Sequence, residues 1–323
     1  MNTLEPKPGP PQVLDVIVVG EALIDIVESD TGTIEHPGGS PANVAYGLGR
    51  LGVSTGLKTA IGEDRHGRLI REHLNSAGVQ LLQGSTSLDR TATATATLAA
   101  DGSASYEFDI RWDLTQAAPG FLPKVFHTGS IATFLAPGAS AVRSLMLQCH
   151  HSCLVTYDPN IRPALLGSHH EAKTIFEELV PLTDVVKLSD DDAQWLYPGA
   201  PLQDIAARIL SLGAELAVIT TGSNGSLLST PTVQLSIPAL ATQVADTIGA
   251  GDSYMSALIH GLLSRTGEGL GPSVLERIGR SASLAAAITV GRPGANPPTS
   301  NELQAAVTRH QSIDPTTAFA PTA

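Results

Sequence analysis

The chain has 323 residues, of which 42% are hydrophobic, so it can form one large α/β domain or two smaller ones and is not a disordered chain. Lysine and arginine total 19 against 31 aspartates and glutamates, and this net charge of −12 disfavours binding to a nucleic-acid backbone. Only 4% of residues are aromatic, which argues against a stacking surface for single-stranded nucleic acid and leaves small molecules as the expected partners.

The cysteine content and the absence of long apolar runs bear on the cellular compartment. Only Cys149 and Cys153 occur, too few for a disulfide framework. The sequence opens without a secretory signal, and no run reaches the roughly 18 apolar residues of a membrane span. We therefore expect a cytoplasmic protein with no membrane association. Zinc binding by the two cysteines with His150 and His151 is disfavoured, because they straddle a helix-to-strand junction and lack a second cysteine pair.

Short β-branched runs alternate with helical patterns along most of the chain. The runs at 14–21, 185–188 and 216–222 are typical of buried parallel strands. In the first predicted helix, Ser40 is the expected N-cap and Pro41 the first helical residue. The alternation predicts an α/β fold with a doubly wound, mostly parallel sheet and helices on both faces. The predicted helices are 40–51, 65–77, 138–149, 201–212, 249–264, 274–289 and 300–310.

One segment departs from this alternation. In residues 91–98 threonine alternates with alanine or leucine, and in residues 103–110 polar side chains alternate with apolar ones. Asp101-Gly102 lies between the two segments. Alternation around Asp-Gly is a strong hairpin signal and indicates half-buried strands. We place this hairpin in a small second sheet, with strands from about 26–37 and 91–112. The predicted organisation is a single domain over 13–310, with tails at 1–12 and 311–323.

The most informative motif is 246–253, Asp-Thr-Ile-Gly-Ala-Gly-Asp-Ser, which leads into a helix. Gly249 and Gly251 allow main-chain N–H groups at the helix start to approach a phosphate. Asp252 then stands beside that anion site, where a carboxylate can take the proton of an attacking hydroxyl. The alternative is that the glycines form a tight turn and Asp252 only caps the helix.

Polar residues also follow other predicted strands or open other helices. Asn43 lies in the first turn of the helix after Gly38-Gly39 and can bond a polyol hydroxyl. Asp25, Asn160 and Arg162 follow strands, where ligands bind in parallel sheets. The turn 220–225 can line a nucleotide. Taken singly, each feature also has a purely structural interpretation. Asn43 would belong to an ordinary capped helix, Asp25 would be a solvated loop acid, Arg162 a surface charge and 220–225 a hairpin turn.

Two nucleotide-binding fingerprints are absent or misplaced. Residues 47–52 match G-x-G-x-x-G, but they end a predicted helix instead of following a strand and opening one. We therefore reject a NAD site there and attribute these glycines to close helix packing. No P-loop sequence occurs, which disfavours a P-loop NTPase.

Several segments together resemble the ribokinase-like, PfkB-type carbohydrate kinase family, closest to its fructokinase-type branch. The resemblance covers about residues 14–310, and the ordered set is far more specific than any one segment. The segments are GEALIDIV (20–27), GGSPANVAYGLGRLG (38–52), DPNIRP (158–163), KLSDDDAQWL (187–196), VITTGSNGS (218–226), DTIGAGDSYMSAL (246–258) and RPGANPP (292–298).

The resemblance implies a ribokinase-like fold with a small β-sheet lid over the sugar, in agreement with the predicted hairpin. It also implies transfer of the γ-phosphoryl group from MgATP to a primary hydroxyl of a small sugar, with fructose as the favoured acceptor. Ribose, 2-keto-3-deoxygluconate and a nucleoside remain alternative acceptors. Outside enzymes, the alternative is a non-catalytic sugar sensor, although a sensor has no need for an aspartate beside an anion site.

Functional positions of the family carry over to the matching residues. Asp252 matches the catalytic base, and Gly249, Ala250 and Gly251 match the anion hole. The implied ligand contacts are Asp25, Gly38, Gly39 and Asn43 for the sugar, beside Asn160 and Arg162, and Lys187, Thr221, Gly222 and Gly225 for the nucleotide. A monovalent-cation site, with potassium as the expected activator, is implied at Asp246 and the Ile248 carbonyl, with further carbonyls near 287–292.

The chain departs from the family at its magnesium motif and in its lid. The usual Asn-x-x-Glu is replaced by Ser189 and Asp192, and the shorter Asp192 puts direct positioning of Mg²⁺ in question, although it remains a hard oxygen ligand. The lid sequence around 106–114 is less typical of fructokinases. Its larger side chains are expected either to contact the sugar or to form the interface of a homodimer; these are Tyr106, Phe108, Arg111 and Trp112.

Overall fold

The computed structural model describes residues 14–29, 32–98, 104–114, 122–265 and 267–313. The predicted tail 1–12 lies outside these ranges, as does 314–323. The strands in them are, in chain order, Val16–Val19 (β1), Leu23–Ser29 (β2), Gly32–Gly38 (β3), Thr55–Lys58 (β4), Ile61–Gly62 (β5), Gln80–Leu81 (β6), Thr86–Leu88 (β7), Thr93–Leu98 (β8), Ala104–Asp109 (β9), Val125–Gly129 (β10), Leu154–Asp158 (β11), Val185–Ser189 (β12), Leu216–Thr220 (β13), Ser226–Ser229 (β14) and Gln234–Ile237 (β15).

A central sheet of nine strands organises the described part of the chain. Its order is β15-β14-β13-β12-β11-β10-β1-β4-β6, with parallel pairing from β6 to β13 and antiparallel pairing at β14 and β15. From β1 the chain builds outward through β4 and β6, and β10 then starts the other side. The strand order therefore reverses between β1 and β10, and ligands bind at such a switch point.

Helices cover both faces of this sheet, as the sequence predicts. Alternate β1 residues face opposite ways: Val16 and Val18 join one apolar core, while Ile17 and Val19 join the other. Helices α1, α2, α7, α8 and α9 contribute to the first core and α3, α4, α5 and α6 to the second. The helices are Ser40–Arg50 (α1), Arg65–Ser76 (α2), Gly138–Cys149 (α3), His169–Leu179 (α4), Asp190–Leu196 (α5), Leu202–Ser211 (α6), Ala250–Leu263 (α7), Pro272–Val290 (α8) and Ser300–Ile313 (α9).

The predicted helices are present within one or two residues at most ends, with three differences. Helix α9 continues to Ile313, past the predicted end at 310. Helices α4 and α5 have no counterpart among the predictions, although each begins with a capping box, at Ser168 and Ser189. The predicted N-cap at Ser40 is wrong: Gly39 is the N-cap, and Ser40 is the first helical residue. The Ser40 hydroxyl bonds a distant side chain instead.

The hairpin predicted around Asp101-Gly102 lies in a separate small sheet. Strands β8 and β9 pair antiparallel, with Ala94 opposite Phe108, while the connecting turn lies outside the described residues. Strands β2 and β3 complete this sheet in the order β3-β2-β8-β9, and β2 pairs with β8 in parallel. We call it the small sheet. A further pair, β5 with β7, lies apart from it.

Helix α7 is the central helix of the first core. It packs against α1 and α8, and most of its residues are buried. Gly47 of α1 lies so close to Ser256 of α7 that a Cβ at residue 47 would overlap the serine side chain. Of the glycines in the rejected NAD fingerprint, Gly47 therefore serves helix packing, as expected, and Gly49 allows the segment after α2 to approach, whereas a Cβ at Gly52 would meet no atom within 4 Å. No helix of the described residues has the length and apolarity needed to cross a bilayer.

Trp112 anchors the chain that leaves the small sheet. It was expected to contact a sugar or a partner subunit, and that expectation is wrong, because its side chain is only 3% exposed in the second core. Its indole Nε1 donates to the Ala132 carbonyl (2.9 Å), and its ring lies against Gly138. The indole thus ties strand β9 to the turn that follows β10.

We predict that Trp112→Ala lowers the free energy of unfolding by about 3–5 kcal/mol, because it leaves a cavity and an unpaired carbonyl. Urea denaturation measures this loss. Trp195→Ala is the matched control, since Trp195 is half-buried and stacks edge-on with His169. Equal losses in the two variants would contradict the anchoring role of Trp112.

Candidate functional site

A cavity of about 350 Å³ opens at the switch point of the central sheet. We call it the first cavity. It lies where β1, β10, β11 and β12 end and where α1 and α7 begin, and the small sheet forms one wall. Its polar lining residues are Glu21, Asp25, Ser40, Asn43, Ser130, Asn160, Arg162, Lys187, Thr247 and Asp252, and its glycines are Gly39, Gly249 and Gly251.

Asp252 lies in the first turn of α7 and is 9% exposed. Its Oδ1 accepts a hydrogen bond from the Ser40 hydroxyl (2.6 Å), and its Oδ2 accepts one from Asn43 Nδ2 (2.8 Å). Both donors belong to α1. The carboxylate is thus held in one orientation at the cavity wall and does not cap its own helix.

The start of α7 offers main-chain donors beside this carboxylate. Gly249 is the N-cap in a left-handed conformation (φ 74°), which a side chain would strain. The first i to i−4 bond runs from Ser253 N to the Gly249 carbonyl (2.8 Å). The N–H groups of Gly251 and Asp252 precede it, so they have no partner within the helix and can bind an anion.

Asp25 extends from β2 into the first cavity, next to Gly38. A Cβ at Gly38 would overlap Asp25 Oδ2, so only glycine leaves the carboxylate its present place. Burial raises the pKa of Asp25 to about 6, against the opposing effect of His36 and Arg162. Its carboxylate form prevails above that pH and can accept hydroxyl hydrogen bonds.

Asn160 and Arg162 reach the same cavity from the loop after β11. Asn160 adopts a positive φ of 37°, which is rare for a residue other than glycine. Arg162 Nη1 donates to the carbonyl of Ile161 (3.0 Å), which fixes the guanidinium against its own loop. Nη1 also makes a longer hydrogen bond to the Asn160 carbonyl (3.4 Å), and within the described part of the chain the other N–H groups of the guanidinium can donate to a ligand.

Lys187 lies beneath the start of α7 in a buried ion pair. Its Nζ donates to Asp158 Oδ2 (2.8 Å), and the two side chains are 5% and 1% exposed. Burial raises the pKa of Asp158 to about 6. Burial alone would lower the pKa of Lys187, but the Asp158, Asp192 and Asp252 carboxylates outweigh it and raise that pKa. The ammonium therefore stays charged beside Gly251.

A second cavity of about 570 Å³ lies on the other side of Gly251 and Thr247, which line both. It is mostly apolar, with Leu240, Val244 and Val290 among its lining residues. Of the expected nucleotide contacts, Gly222 and Gly225 line it, whereas Thr221 is absent from the lining and Lys187 lines the first cavity. Thr221 N donates to the Gly225 carbonyl (2.8 Å), so this turn closes a hairpin and borders the cavity as well.

Asp246 braces two loops below the start of α7. Its Oδ1 accepts from Ile248 N (3.0 Å) and its Oδ2 from Gly294 N (2.9 Å). These hydrogen bonds, that from Ile248 first, lower the pKa of Asp246. Ala245 N also bonds the Val290 carbonyl (2.9 Å), so the loops of the expected cation site lie side by side.

Asp192 lies outside the linings of both cavities. Its Oδ1 accepts from Ile161 N (2.8 Å) and its Oδ2 from Ser189 N (3.1 Å). The carboxylate thus joins the start of α5 to the loop that carries Arg162. No group of three or more His, Cys, Asp and Glu residues close enough to hold a metal occurs in the described part of the chain.

Sequence reasoning did not single out three side chains of the site: Glu21, Ser40 as a partner of Asp252, and Asp158. Each lies inside a quoted motif, but burial and distant partners set its role, and a linear pattern carries neither. Among the expected lid contacts, Phe108 lines the first cavity, and Arg111 does not. The side chain of Tyr106 lies outside the described residues.

Comparisons with known proteins agree with this geometry. The profile of the pfkB family carbohydrate kinases matches residues 13–302. Fructokinase-1 of Oryza sativa subsp. japonica is 29% identical over 315 residues, covering 90% of this chain and 95% of that protein. A double mutant of the Vibrio cholerae O395 fructokinase, in its fructose, ADP and potassium ion bound form, superimposes with a TM-score of 0.79 at 25% identity, covering 92% of this chain and 98% of the other.

Aminoimidazole riboside kinase from Salmonella enterica, complexed with aminoimidazole riboside and an ATP analog, is similar as well. Its TM-score is 0.77 at 25% identity, with 90% of this chain and 99% of the other covered. The fold is thus that of the ribokinase-like kinases. The chain belongs to the pfkB family of carbohydrate kinases, and it is a sugar kinase, a phosphotransferase.

We predict that Gly38→Ala raises the KM for the sugar about tenfold or more, because the new Cβ displaces the Asp25 carboxylate. The KM for ATP should stay unchanged. Initial rates at varied sugar and at varied ATP measure both constants.

Gly269→Ala is the matched control, since a Cβ there meets no atom within 4 Å. An unchanged sugar KM in Gly38→Ala would refute the assignment of Asp25 to sugar binding.

Proposed function

We propose that this sugar kinase transfers the γ-phosphoryl group of ATP to a primary hydroxyl of fructose, with Asp252 as the general base. The observation that carries the proposal is the place of Asp252. It lines the first cavity, and its neighbour Gly251 lines both cavities, so one carboxylate stands where acceptor and donor would meet.

In this proposal each residue at the junction has a separate task. Ser40 and Asn43 orient the Asp252 carboxylate, which accepts the proton of the attacking hydroxyl. The N–H groups of Gly251 and Asp252 face the charge that develops on the transferred group. The sugar is held in the first cavity by two groups of residues. One consists of Asp25, Gly39 and Asn43, and the other of Asn160 and Arg162. Positioning and charge stabilisation supply most of the rate in such transfers.

ATP fits the second cavity in this proposal, with its base against the apolar lining and its phosphates toward Gly251. Lys187 carries a positive charge below that point, fixed by Asp158. Gly222 and Gly225 border the nucleotide, and Thr221 fixes their turn. The apolar wall suits the flat face of a base.

Magnesium fits the chemistry of the groups near Lys187. Asp158 Oδ1 is buried and has no hydrogen-bond partner within the described part of the chain. Mg²⁺ needs only one or two carboxylates when phosphates and waters complete its shell. Asp158 would hold it with its waters, and it would neutralise charge on the phosphates. The expected ligand Asp192 is less suited, because both of its oxygens accept main-chain hydrogen bonds outside the two cavities.

A potassium ion is proposed as an activator at the loops that Asp246 joins. The Ile248 carbonyl and carbonyls near 287–292 come from these adjacent loops. An ion there would fix the loop from which Gly249 starts α7. The Vibrio cholerae O395 fructokinase bound to potassium supports this assignment by similarity.

Fructose is favoured because of the fructokinases among the relatives. A nucleoside-like acceptor is the second candidate, supported by the similarity to aminoimidazole riboside kinase and by the apolar side chains of Phe108 and Ile110 in the first cavity. A competition between fructose and adenosine in a coupled assay of ADP release separates them.

We also propose that the protein is cytoplasmic, as the sequence leads us to expect. The proposed use of ATP agrees with that location, as do the free thiols of Cys149 and Cys153.

We also propose a homodimer through the small sheet. The face that presents Asp25 to the first cavity continues outward along β2 and β3, where Val27 pairs with Ile34. The Ile34 side chain is 56% exposed on this face. A second copy of the chain would cover it and shield the cavity mouth.

We predict that Asp252→Asn binds fructose with nearly unchanged affinity but loses about 10²–10⁴-fold in kcat, because it has no base for the hydroxyl proton. Calorimetry gives the affinity and an ADP-release assay gives kcat. Asp191→Asn, an exposed residue of α5, is the matched control. Near-normal turnover of Asp252→Asn would exclude this aspartate as the base.

For the dimer, we predict that the wild-type protein sediments at twice the chain mass and that Ile34→Glu shifts it toward monomer, because the charge would be buried at the contact. Leu147→Glu, a change at a 52% exposed position of α3, should leave the mass unchanged. A monomeric wild-type protein would rule the dimer out.

A further inference from the structure

Glu21 is the most deeply buried carboxyl group in the lining of the first cavity, with an exposure of 4%. It follows β1, and its Oε2 accepts a hydrogen bond from Ala132 N (3.1 Å). The Ser130 side chain and the main chain of Glu21 itself also lie near the carboxylate and act to lower its pKa. A carboxylate offers about four acceptor positions, so it can also accept a hydrogen bond from a ligand.

The surroundings of Glu21 are built to keep it in place. Ser130 has a positive φ of 53°, rare for a serine, and the Ala132 carbonyl accepts from Trp112 on its other side. Gly39 lies so close to the main chain of Glu21 that a Cβ there would overlap it. Both segments that Glu21 touches also line the cavity. Its side chain is therefore held at the wall of the first cavity.

The charges around the first cavity limit the acceptors that it can hold. Among its described lining residues, the carboxyl groups of Glu21, Asp25 and Asp252 outnumber the cations Arg162 and Lys187. Lys187 is already paired with Asp158. Arg162 lies close enough to Glu21 and Asp25 to lower the pKa of each, so both carboxyl groups compete for its charge.

We propose that Glu21 accepts a hydroxyl of the acceptor and, with Asp25, restricts this kinase to uncharged polyols, excluding sugar acids and sugar phosphates. The inference rests on the proposed sugar kinase reaction and adds the acceptor class. An anionic acceptor would bring a further negative charge against the buried Glu21 and the half-buried Asp25, where solvent screens charge less than at an exposed surface. A neutral polyol instead offers donors to both carboxylates. Burial raises the pKa of Glu21 to about 7, so its charged form, and with it the repulsion of anionic acceptors, prevails only above that pH.

The test compares fructose with 2-keto-3-deoxygluconate and fructose 6-phosphate as acceptors for wild type, Glu21→Gln and Glu21→Asp. We expect wild type to favour fructose by kcat/KM about 100-fold or more. Glu21→Gln keeps an acceptor for Ala132 N but loses the charge. Its fructose KM should rise about tenfold with kcat changed less than threefold, while kcat/KM for the two anions stays constant or rises. Glu21→Asp, which keeps the charge, should retain most of the discrimination.

The control is Glu28→Gln, which removes an exposed acid from the same strand as Asp25 and should change neither the KM nor the kcat for fructose. Melting temperatures show whether each variant is folded, and the wild-type comparison of neutral with anionic acceptors carries the test if Glu21→Gln is not. An equal loss of kcat/KM for neutral and anionic acceptors in Glu21→Gln would show a merely structural role. A wild-type preference for an anionic acceptor overturns the inference and leaves the kinase standing. Absence of turnover with every sugar overturns the proposed function itself.

Discussion

The Asp252 carboxylate accepts one hydrogen bond from Ser40 and another from Asn43, and these contacts join the starts of α7 and α1 across the first cavity. The rest of the site depends on this junction. Helix α1 approaches α7 closely because Gly47 has no side chain to hold it away from Ser256. With the helices at that distance, the N–H groups at the start of α7 and a fixed carboxylate share one small volume. A shift of either helix would separate the Asp252 carboxylate from these N–H groups.

Buried charge beneath this junction is costly for folding and useful for phosphate chemistry. Taking Asp158 and Lys187 out of water costs more than a surface pair would, and their attraction offsets only part of that cost. The lysine keeps its charge because three carboxylates surround it. Among the described residues one oxygen of Asp158 still lacks a partner, a state that a folded protein rarely leaves unexplained. A polyanionic nucleotide with its magnesium would complete this set of charges, which links the fold energetics to a kinase reaction.

The acceptor side is organised by different means. Asp25 comes from the small sheet, Glu21 from the end of β1 and Arg162 from the loop after β11, so three separate segments meet around the first cavity. Trp112 fixes the exit of the small sheet to the same turn that Glu21 holds. The wall formed by the small sheet is therefore coupled to the switch point of the central sheet. Variation in these few contacts would change the lining of the first cavity while the junction of α1 and α7 stays the same.

The sequence by itself determined the local structure and the class of chemistry. Apolar periodicity and helix-stop glycines located the predicted helices within a few residues, and the Asp-Gly turn between alternating strands placed the hairpin in a second sheet. The ordered motifs pointed to the kinase family and to Asp252, because glycines and an aspartate at a helix start serve one recognisable task. Local patterns could not show that β2 pairs with β8 in parallel, since their contact spans a long stretch of chain.

Only the tertiary structure decided which side chains meet. Ser40 looked like an N-cap, yet its hydroxyl bonds Asp252, which is 212 residues away. Trp112 looked like a lid contact, yet it lies in the core. Glu21 showed no local signal, and its importance arises from burial among Ala132, Ser130 and Arg162. Periodicity and capping are set by neighbours in the chain, whereas hydrogen bonds and charge balance in a cavity depend on segments that only folding brings together.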